Sequence, residues 1–88
     1  MSERKFLCDI SYGDHLKKCR LASHLTQRDL TAKMHLYGST LSSSVYSKIE
    51  KGDNNMYITD FVIFMIVTGS SFEDFFEGLV SEIKKSVE

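Results

Sequence analysis

Hydrophobic residues recur along most of the chain at the spacing of one face of an α-helix. Tyr12, Leu16 and Cys19 follow the i, i+4, i+7 pattern and predict a first helix from Tyr12 to about Ser23. Residues 1–10 show no such pattern and are expected to form a loosely held N-terminal arm. The pattern therefore predicts that regular structure begins shortly after residue 10.

Capping residues and glycines divide the middle of the chain into two further helices. Thr26 is a good N-cap, and Asp29 three residues later completes a weak form of the capping box. Gly38 is the natural end of this second helix, because glycine readily adopts the left-handed conformation that terminates helices. Ser42 is the simplest N-cap for a third helix that ends at Gly52. Two short helices separated by a polar turn are thus expected.

The last third of the chain predicts two more helices. Residues 61–67 are all apolar, which fits a buried helix from about Thr59 to Thr68 or a β-strand. We prefer the helix, because its neighbours are helical and no second strand is available for pairing. A fifth helix begins at Ser70 or Ser71. Its broad apolar stripe consists of Phe72, Phe75, Phe76, Leu79 and Ile83.

The predicted fold is all-α, with five helices packed into one domain over residues 11–88. A chain of 88 residues is one domain by its length. Neither an internal repeat nor a linker composition divides it.

The third helix has one apolar face and one small polar face. Tyr46 and Ile49 lie on the apolar side, and the opposite side carries Ser43, Ser44, Ser47, Lys48 and Lys51. The major groove of DNA admits a single α-helix, and short polar side chains permit close approach to base edges. The pattern alone equally fits serines that cap a helix or face solvent.

Charge is unevenly distributed along the chain. The net charge is only −1, which is low for a nucleic-acid binder. Residues 1–54 contain nine Lys/Arg and six Asp/Glu, a net of +3, whereas residues 55–88 contain two and six, a net of −4. An anionic partner is therefore expected to meet the N-terminal two-thirds.

Several classes of function find no support in the sequence. No apolar segment approaches the length of about 20 residues that spans a membrane, and no secretory signal is evident, so a cytoplasmic location is expected. The two cysteines and three scattered histidines show no metal-ligand spacing. No nucleophile–base pair, paired carboxylates or phosphate-binding glycine loop is recognisable. We therefore expect a non-enzymatic protein without cofactor or metal.

Three short motifs together resemble a known family. They are Gly13-x-x-Leu16-x-x-x-Arg20, Leu25-Thr26-Gln27-x-x-Leu30 and Ile49-Glu50-x-Gly52. Their order resembles the Cro/repressor-type, XRE-like helix-turn-helix family of bacteria and phages, over about residues 12–77. The resemblance implies a lambda-repressor-like fold that binds double-stranded DNA.

The sequence departs from the family pattern in its length and at individual positions, among them Thr31, where the family usually has Ala. The stretch from Gln27 to Glu50 is about five residues longer than the commonest form, and the excess lies around His35 to Ser39. A subgroup with a lengthened turn before the DNA-recognition helix, which corresponds to the third helix here, is similar in this respect. Ser43 replaces the Arg or Gln that is common at its position, which weakens the expectation of strong base contacts.

The resemblance assigns roles to individual residues. Gln27 is similar to a glutamine that bonds a DNA phosphate. Arg20 and Glu50 match a structural ion pair between the first and third helices. The positions expected to face base edges are Ser43, Ser44, Ser47 and Lys48, and those expected to hold phosphates after the recognition helix are Lys51, Asn54 and Asn55.

The fifth helix extends beyond what a small domain needs to cover its core. Its residues Phe76, Leu79, Val80 and Ile83 are expected to contribute to a homodimer interface, which two-fold DNA half-sites require. The predicted function is a homodimeric, sequence-specific transcriptional regulator, most simply a repressor. The alternative is a protein-interaction module of the same fold with little DNA affinity, an antirepressor or adaptor that uses its C-terminal helix to bind a protein partner.

Overall fold

A computed structural model describes residues 5–6 and 10–87 of the chain, with side chains described from Tyr12 to Lys85. Within these residues the fold is all-α, with five helices and one very short pair of strands. The elements are β1 (Lys5–Phe6), α1 (Ile10–Ala22), α2 (Gln27–His35), α3 (Ser43–Glu50), β2 (Met56–Tyr57), α4 (Ile58–Thr68) and α5 (Phe72–Val87).

The helix starts follow the expected capping residues. Thr26 accepts a hydrogen bond from the backbone N–H of Asp29 at 3.0 Å, and Ser42 accepts one from that of Val45 at 3.2 Å. At α5, Ser71 rather than Ser70 accepts from the backbone N–H of the third residue onward, at 3.2 Å. Short polar side chains thus satisfy N–H groups that have no partner within their own helix.

One apolar core joins all five helices. Leu16, Leu30 and Tyr46 have no exposed surface, and Phe64 and Phe75 extend this core into α4 and α5. The apolar run of residues 61–67 is helical, as predicted. It is not buried on every side, however, because Val62 and Ile66 are 40% and 51% exposed.

The expected loose arm is partly wrong. Lys5–Phe6 pairs antiparallel with Met56–Tyr57, with Lys5 opposite Tyr57 and Phe6 opposite Met56. Helix α1 also begins at Ile10, two residues before the predicted start. The remainder of the predicted arm lies outside the described residues. Among the helices that are described, none combines the length and apolarity needed to cross a membrane.

Candidate nucleic-acid interface

Helices α2 and α3 form the central unit of the candidate site. The back of α3 is fixed in the core by Tyr46 and Ile49, which are 0% and 1% exposed. On its front, Ser44 and Lys48 are exposed and Ser43 and Ser47 are half-buried. The helix therefore presents small polar groups and a lysine to solvent, as its sequence pattern predicts.

The connection of residues 36–42 between α2 and α3 is held by side chains. Ser39 is buried; its hydroxyl donates to Oδ1 of Asp60 at 2.9 Å and accepts from the backbone N–H of Leu41 at 3.1 Å. A ring nitrogen of His35 lies 2.6 Å from the carbonyl oxygen of Leu41. These contacts fix the chain just before the recognition helix begins.

Arg20 and Glu50 form a buried ion pair that joins α1 to α3. Arg20 Nε donates to Glu50 Oε2 at 2.7 Å, and Nη2 donates to Oε1 at 3.2 Å. Arg20 Nη1 also donates to the carbonyl oxygen of Leu25 at 2.9 Å. The two parallel hydrogen bonds give this pair the fork geometry that is strongest for arginine and carboxylate.

The surroundings of Glu50 favour its charged form. Burial raises the pKa of its carboxyl, but hydrogen bonds from Arg20 and Gln27 stabilise the carboxylate and leave the pKa below its usual value. Burial raises the pKa of the Tyr46 hydroxyl far above its ordinary range, and Glu50 raises it further. Glu50 is therefore an anion and Tyr46 a neutral phenol at neutral pH.

Gln27 is connected to the same ion pair. Its side-chain Nε2 donates to Glu50 Oε1 at 3.0 Å. The resemblance to the helix-turn-helix family implies that Gln27 bonds a DNA phosphate. In the structure its side chain is half-buried rather than free in solvent. The bond to Glu50 uses one amide N–H and leaves the other for a further partner.

A cleft of about 350 Å³ lies where α1, α2 and α3 meet. It brings together two predicted phosphate ligands, Gln27 and Lys51, and Ser47 of the recognition helix; the full lining is Asp14, Lys17, Arg20, Gln27, Ser47, Glu50 and Lys51. Lys17 was missed by the sequence analysis because it lies off the apolar face of α1. The available signal was its position three residues before Arg20, which places both on one face of the helix.

Asn54 and Asn55 lie elsewhere. They line a second groove of about 360 Å³ together with Thr40, Leu41, Ser42, Val45, Tyr57 and Asp60. This groove adjoins the N-terminus of α3, whereas the first cleft adjoins its C-terminal half. The structure thus does not join the two asparagines to Lys51 in one site.

Helix α5 divides the four predicted interface residues between two sides. Phe76, Val80 and Ile83 are 41%, 48% and 66% exposed. Leu79 is instead half-buried and packs against the protein's own core, and its place at an interface stays a prediction. The periodicity of α5 did not distinguish its core-facing side from its exposed side, because the apolar stripe is wide enough to cover both.

These features define a helix-turn-helix protein of the DNA-binding class. No family model and no curated protein matches the chain. Three solved structures do match, all of the restriction-modification controller protein C.Esp1396I.

The match extends over nearly the whole of both chains. The tyrosine-to-phenylalanine mutant shares 32% identity over 97% of this chain and 98% of its own, with a TM-score of 0.71. The wild type shares 31% over 84% and 91%, with a TM-score of 0.70. The arginine-to-alanine mutant shares 31% over 84% and 92%, with a TM-score of 0.69. The chain therefore belongs to the helix-turn-helix family of restriction-modification controller proteins.

Proposed function

We propose that this protein binds double-stranded DNA sequence-specifically as a homodimer and regulates transcription, most simply as a repressor, in a restriction-modification system. The observation that carries the proposal is the exposed front of α3, which lies beside a cleft containing Lys17, Gln27 and Lys51. Membership of the controller-protein family supports the same function.

The charge distribution supports an orientation in which α1, α2 and α3 face the DNA. The N-terminal 54 residues, which include all of α2 and α3, carry a net charge of +3, whereas the remainder carries −4. Attraction to phosphates dominates the affinity of most DNA-binding proteins. DNA is thus expected to approach the side formed by α1 to α3, with the acidic part of α5 away from it.

Separate groups would position the protein and read the sequence. Phosphate contacts fix register, and base-edge contacts in the major groove specify sequence. The proposed phosphate ligands are Lys17, Gln27, Lys51, Asn54 and Asn55. The proposed base-reading residues are Ser43, Ser44, Ser47 and Lys48.

The homodimer is proposed from the exposed apolar surface of α4 and α5. Its members are Val62, Ile66, Phe72, Phe76, Val80 and Ile83, each at least 40% exposed. Exposed large apolar side chains in this number on a small protein are typical of an interaction surface. A two-fold dimer would present its recognition helices to half-sites about 34 Å apart, or a multiple of that spacing.

The first test is fluorescence-anisotropy binding to a pool of random duplex DNA at several salt concentrations. Log affinity should fall linearly with log salt, with a slope of several units. Substituting Lys48 or Lys51 by alanine should reduce that slope by about one unit each. A selection from the same pool should then recover an operator with two half-sites.

The matched control is Lys84→Ala, because this exposed lysine lies in the last turn of α5 and outside the proposed DNA interface of α1 to α3. Its salt slope should equal that of the wild type. Absence of binding at about 100 μM protein in low salt, beyond the usual non-specific range, would contradict DNA binding. That result would favour the protein-interaction module, and a protein partner of α5 would then be sought.

A further inference from the structure

We infer that Glu50 is a positioning residue for DNA binding, which holds the Gln27 amide in place at the cleft before DNA arrives. The inference rests on the proposed function and deepens it. Glu50 would affect DNA affinity without touching DNA, in addition to its role in joining α1 to α3.

The hydrogen bond determines how the Gln27 amide is oriented. Gln27 Nε2 lies 3.0 Å from Glu50 Oε1, and a carboxylate can only accept, so the amide nitrogen must face Glu50. No other orientation of the amide preserves this bond. The second N–H and the amide oxygen then remain for an external partner.

Glu50 is itself fixed, so it can transmit order to Gln27. Its carboxylate receives two hydrogen bonds from Arg20, and Arg20 is anchored to the carbonyl oxygen of Leu25. Arg20 and Glu50 are only 8% and 7% exposed. A free glutamine side chain loses much rotamer entropy when it is immobilised, more than most side chains do. A glutamine already held by such a rigid group loses little further rotamer freedom when it binds a ligand.

The charges around the cleft permit an anion beside Gln27. Lys17 and Lys51 line it, and the guanidinium of Arg20 balances the carboxylate of Glu50. Asp14 also lines the cleft and opposes binding. The arrangement fits one phosphate of a DNA backbone that accepts a hydrogen bond from Gln27 and is attracted by the two lysines.

The test is a cycle of four proteins that are compared for affinity to the same duplex. Gln27→Ala is made in the wild type and in the double variant Arg20→Met/Glu50→Leu. Replacing a buried ion pair by apolar residues of similar volume is often neutral or stabilising, so the double variant should fold. Circular dichroism and thermal unfolding check this before binding is measured.

Loss of Gln27 should weaken binding about tenfold in the wild type, as expected for one hydrogen bond to a charged group. The same loss should be less than about twofold in the Arg20→Met/Glu50→Leu background, because the glutamine there is already unordered. Arg28→Ala is the control; Arg28 is exposed and outside the cleft, and its effect should be equal in both backgrounds.

Equal losses from Gln27→Ala in the two backgrounds would overturn the inference while leaving DNA binding intact. No loss in the wild type would also overturn it. Failure of the wild type to bind DNA would instead overturn the proposed function and this inference with it.

A second measurement needs no change to the ion pair. Gln27 is the only glutamine in the chain, so its side-chain amide is readily identified by NMR. In the free protein its order parameter should approach the value of about 0.85 found for rigid backbone, and a value below about 0.6 would overturn the inference. The side-chain amides of Asn54 and Asn55, which have no bond to the ion pair, provide the comparison.

Discussion

At the residue scale, Gly13 permits α1 to pack directly on the end of the recognition helix. A Cβ atom at this position would lie 2.8 Å from the carbonyl oxygen of Ile49 and closer still to that of Glu50. The three nearest atoms all belong to the backbone of Ile49 and Glu50, so no side chain can move aside to make room. The glycine of the first family motif is therefore explained by close packing against the residue pair that contains Glu50.

Gly13→Ala should lower the free energy of unfolding by about 1–3 kcal/mol, the usual cost of overpacking. This loss should occur although alanine favours helix over glycine by up to about 1 kcal/mol. Urea unfolding monitored by circular dichroism measures it.

Gly78→Ala is the matched control in α5. There the added Cβ would meet only the side chain of His15, at 2.8 Å from Cε1, and that ring can shift. The variant should be neutral or stabilised by up to about 1 kcal/mol. Equal destabilisation of the two variants would show that backbone packing is not the cause.

Protonation of Glu50 should destabilise the fold at acid pH. Its folded-state pKa lies below the unfolded value, so its contribution to stability is complete above about pH 4.3 and is lost as the pH falls through the folded-state pKa. The thermal midpoint measured between about pH 3 and 7 should show this loss in the wild type.

The Arg20→Met/Glu50→Leu variant provides the comparison for this pH dependence. It lacks the carboxyl, so its thermal midpoint should fall less between about pH 4.3 and 3 than that of the wild type. Identical pH profiles of the two proteins would contradict the assignment to Glu50.

At the element scale, the connection between α2 and α3 determines where the recognition helix begins. Residues 36–42 are tied through Ser39 to Asp60 of α4, and Leu36 within this connection is 84% exposed. The sequence predicted the N-cap of α3 at Ser42, because capping depends on one side chain and a nearby N–H group. It placed the end of α2 at Gly38, however, three residues beyond its last helical residue, His35. It did not predict the Ser39–Asp60 bond, which joins residues 21 apart.

Ser39→Ala should destabilise the protein by about 1–3 kcal/mol, because it leaves polar groups of Asp60 and Leu41 without their partner. Urea unfolding measures this change. Thr40→Ala in the same connection is the control; Thr40 is exposed, and its substitution should stay within about 0.5 kcal/mol of the wild type. A neutral Ser39→Ala would show that the connection is held by other contacts.

At the scale of the whole molecule, α5 has one side buried in the core and another that is apolar and exposed. Phe75 packs into the core, with its ring 5.0 Å from Phe61 and 5.8 Å from Tyr12. Its outer side carries the exposed apolar residues of the proposed dimer interface. A glutamate on that exposed side should disrupt association without disturbing the core.

Ile83→Glu should raise the dimer dissociation constant by at least about tenfold, because a buried unpaired charge is costly. Sedimentation velocity over a range of concentrations measures this, and unchanged helicity shows that the monomer remains folded. Leu36→Glu, at an exposed apolar residue far from α5 in the chain, should leave the dimer intact. A wild type that stays monomeric at about 100 μM would contradict the homodimer.

The sequence by itself determined the five helices, most of their ends and the apolar back of the recognition helix. These depend on side chains within a few residues of one another, so periodicity and capping reveal them. The resemblance to Cro/repressor-type proteins added the ion pair of Arg20 and Glu50, which the structure contains.

Only the tertiary structure decided which distant groups meet. Four features depend on how helices are placed relative to one another. They are the bond from Gln27 to Glu50, the position of Lys17 in the cleft, the separation of Asn54 and Asn55 from Lys51, and the packing of Leu79 on the core. The pairing of β1 with β2 joins segments about 50 residues apart. Such contacts arise from packing the whole chain around one core, and no local pattern in the sequence encodes them.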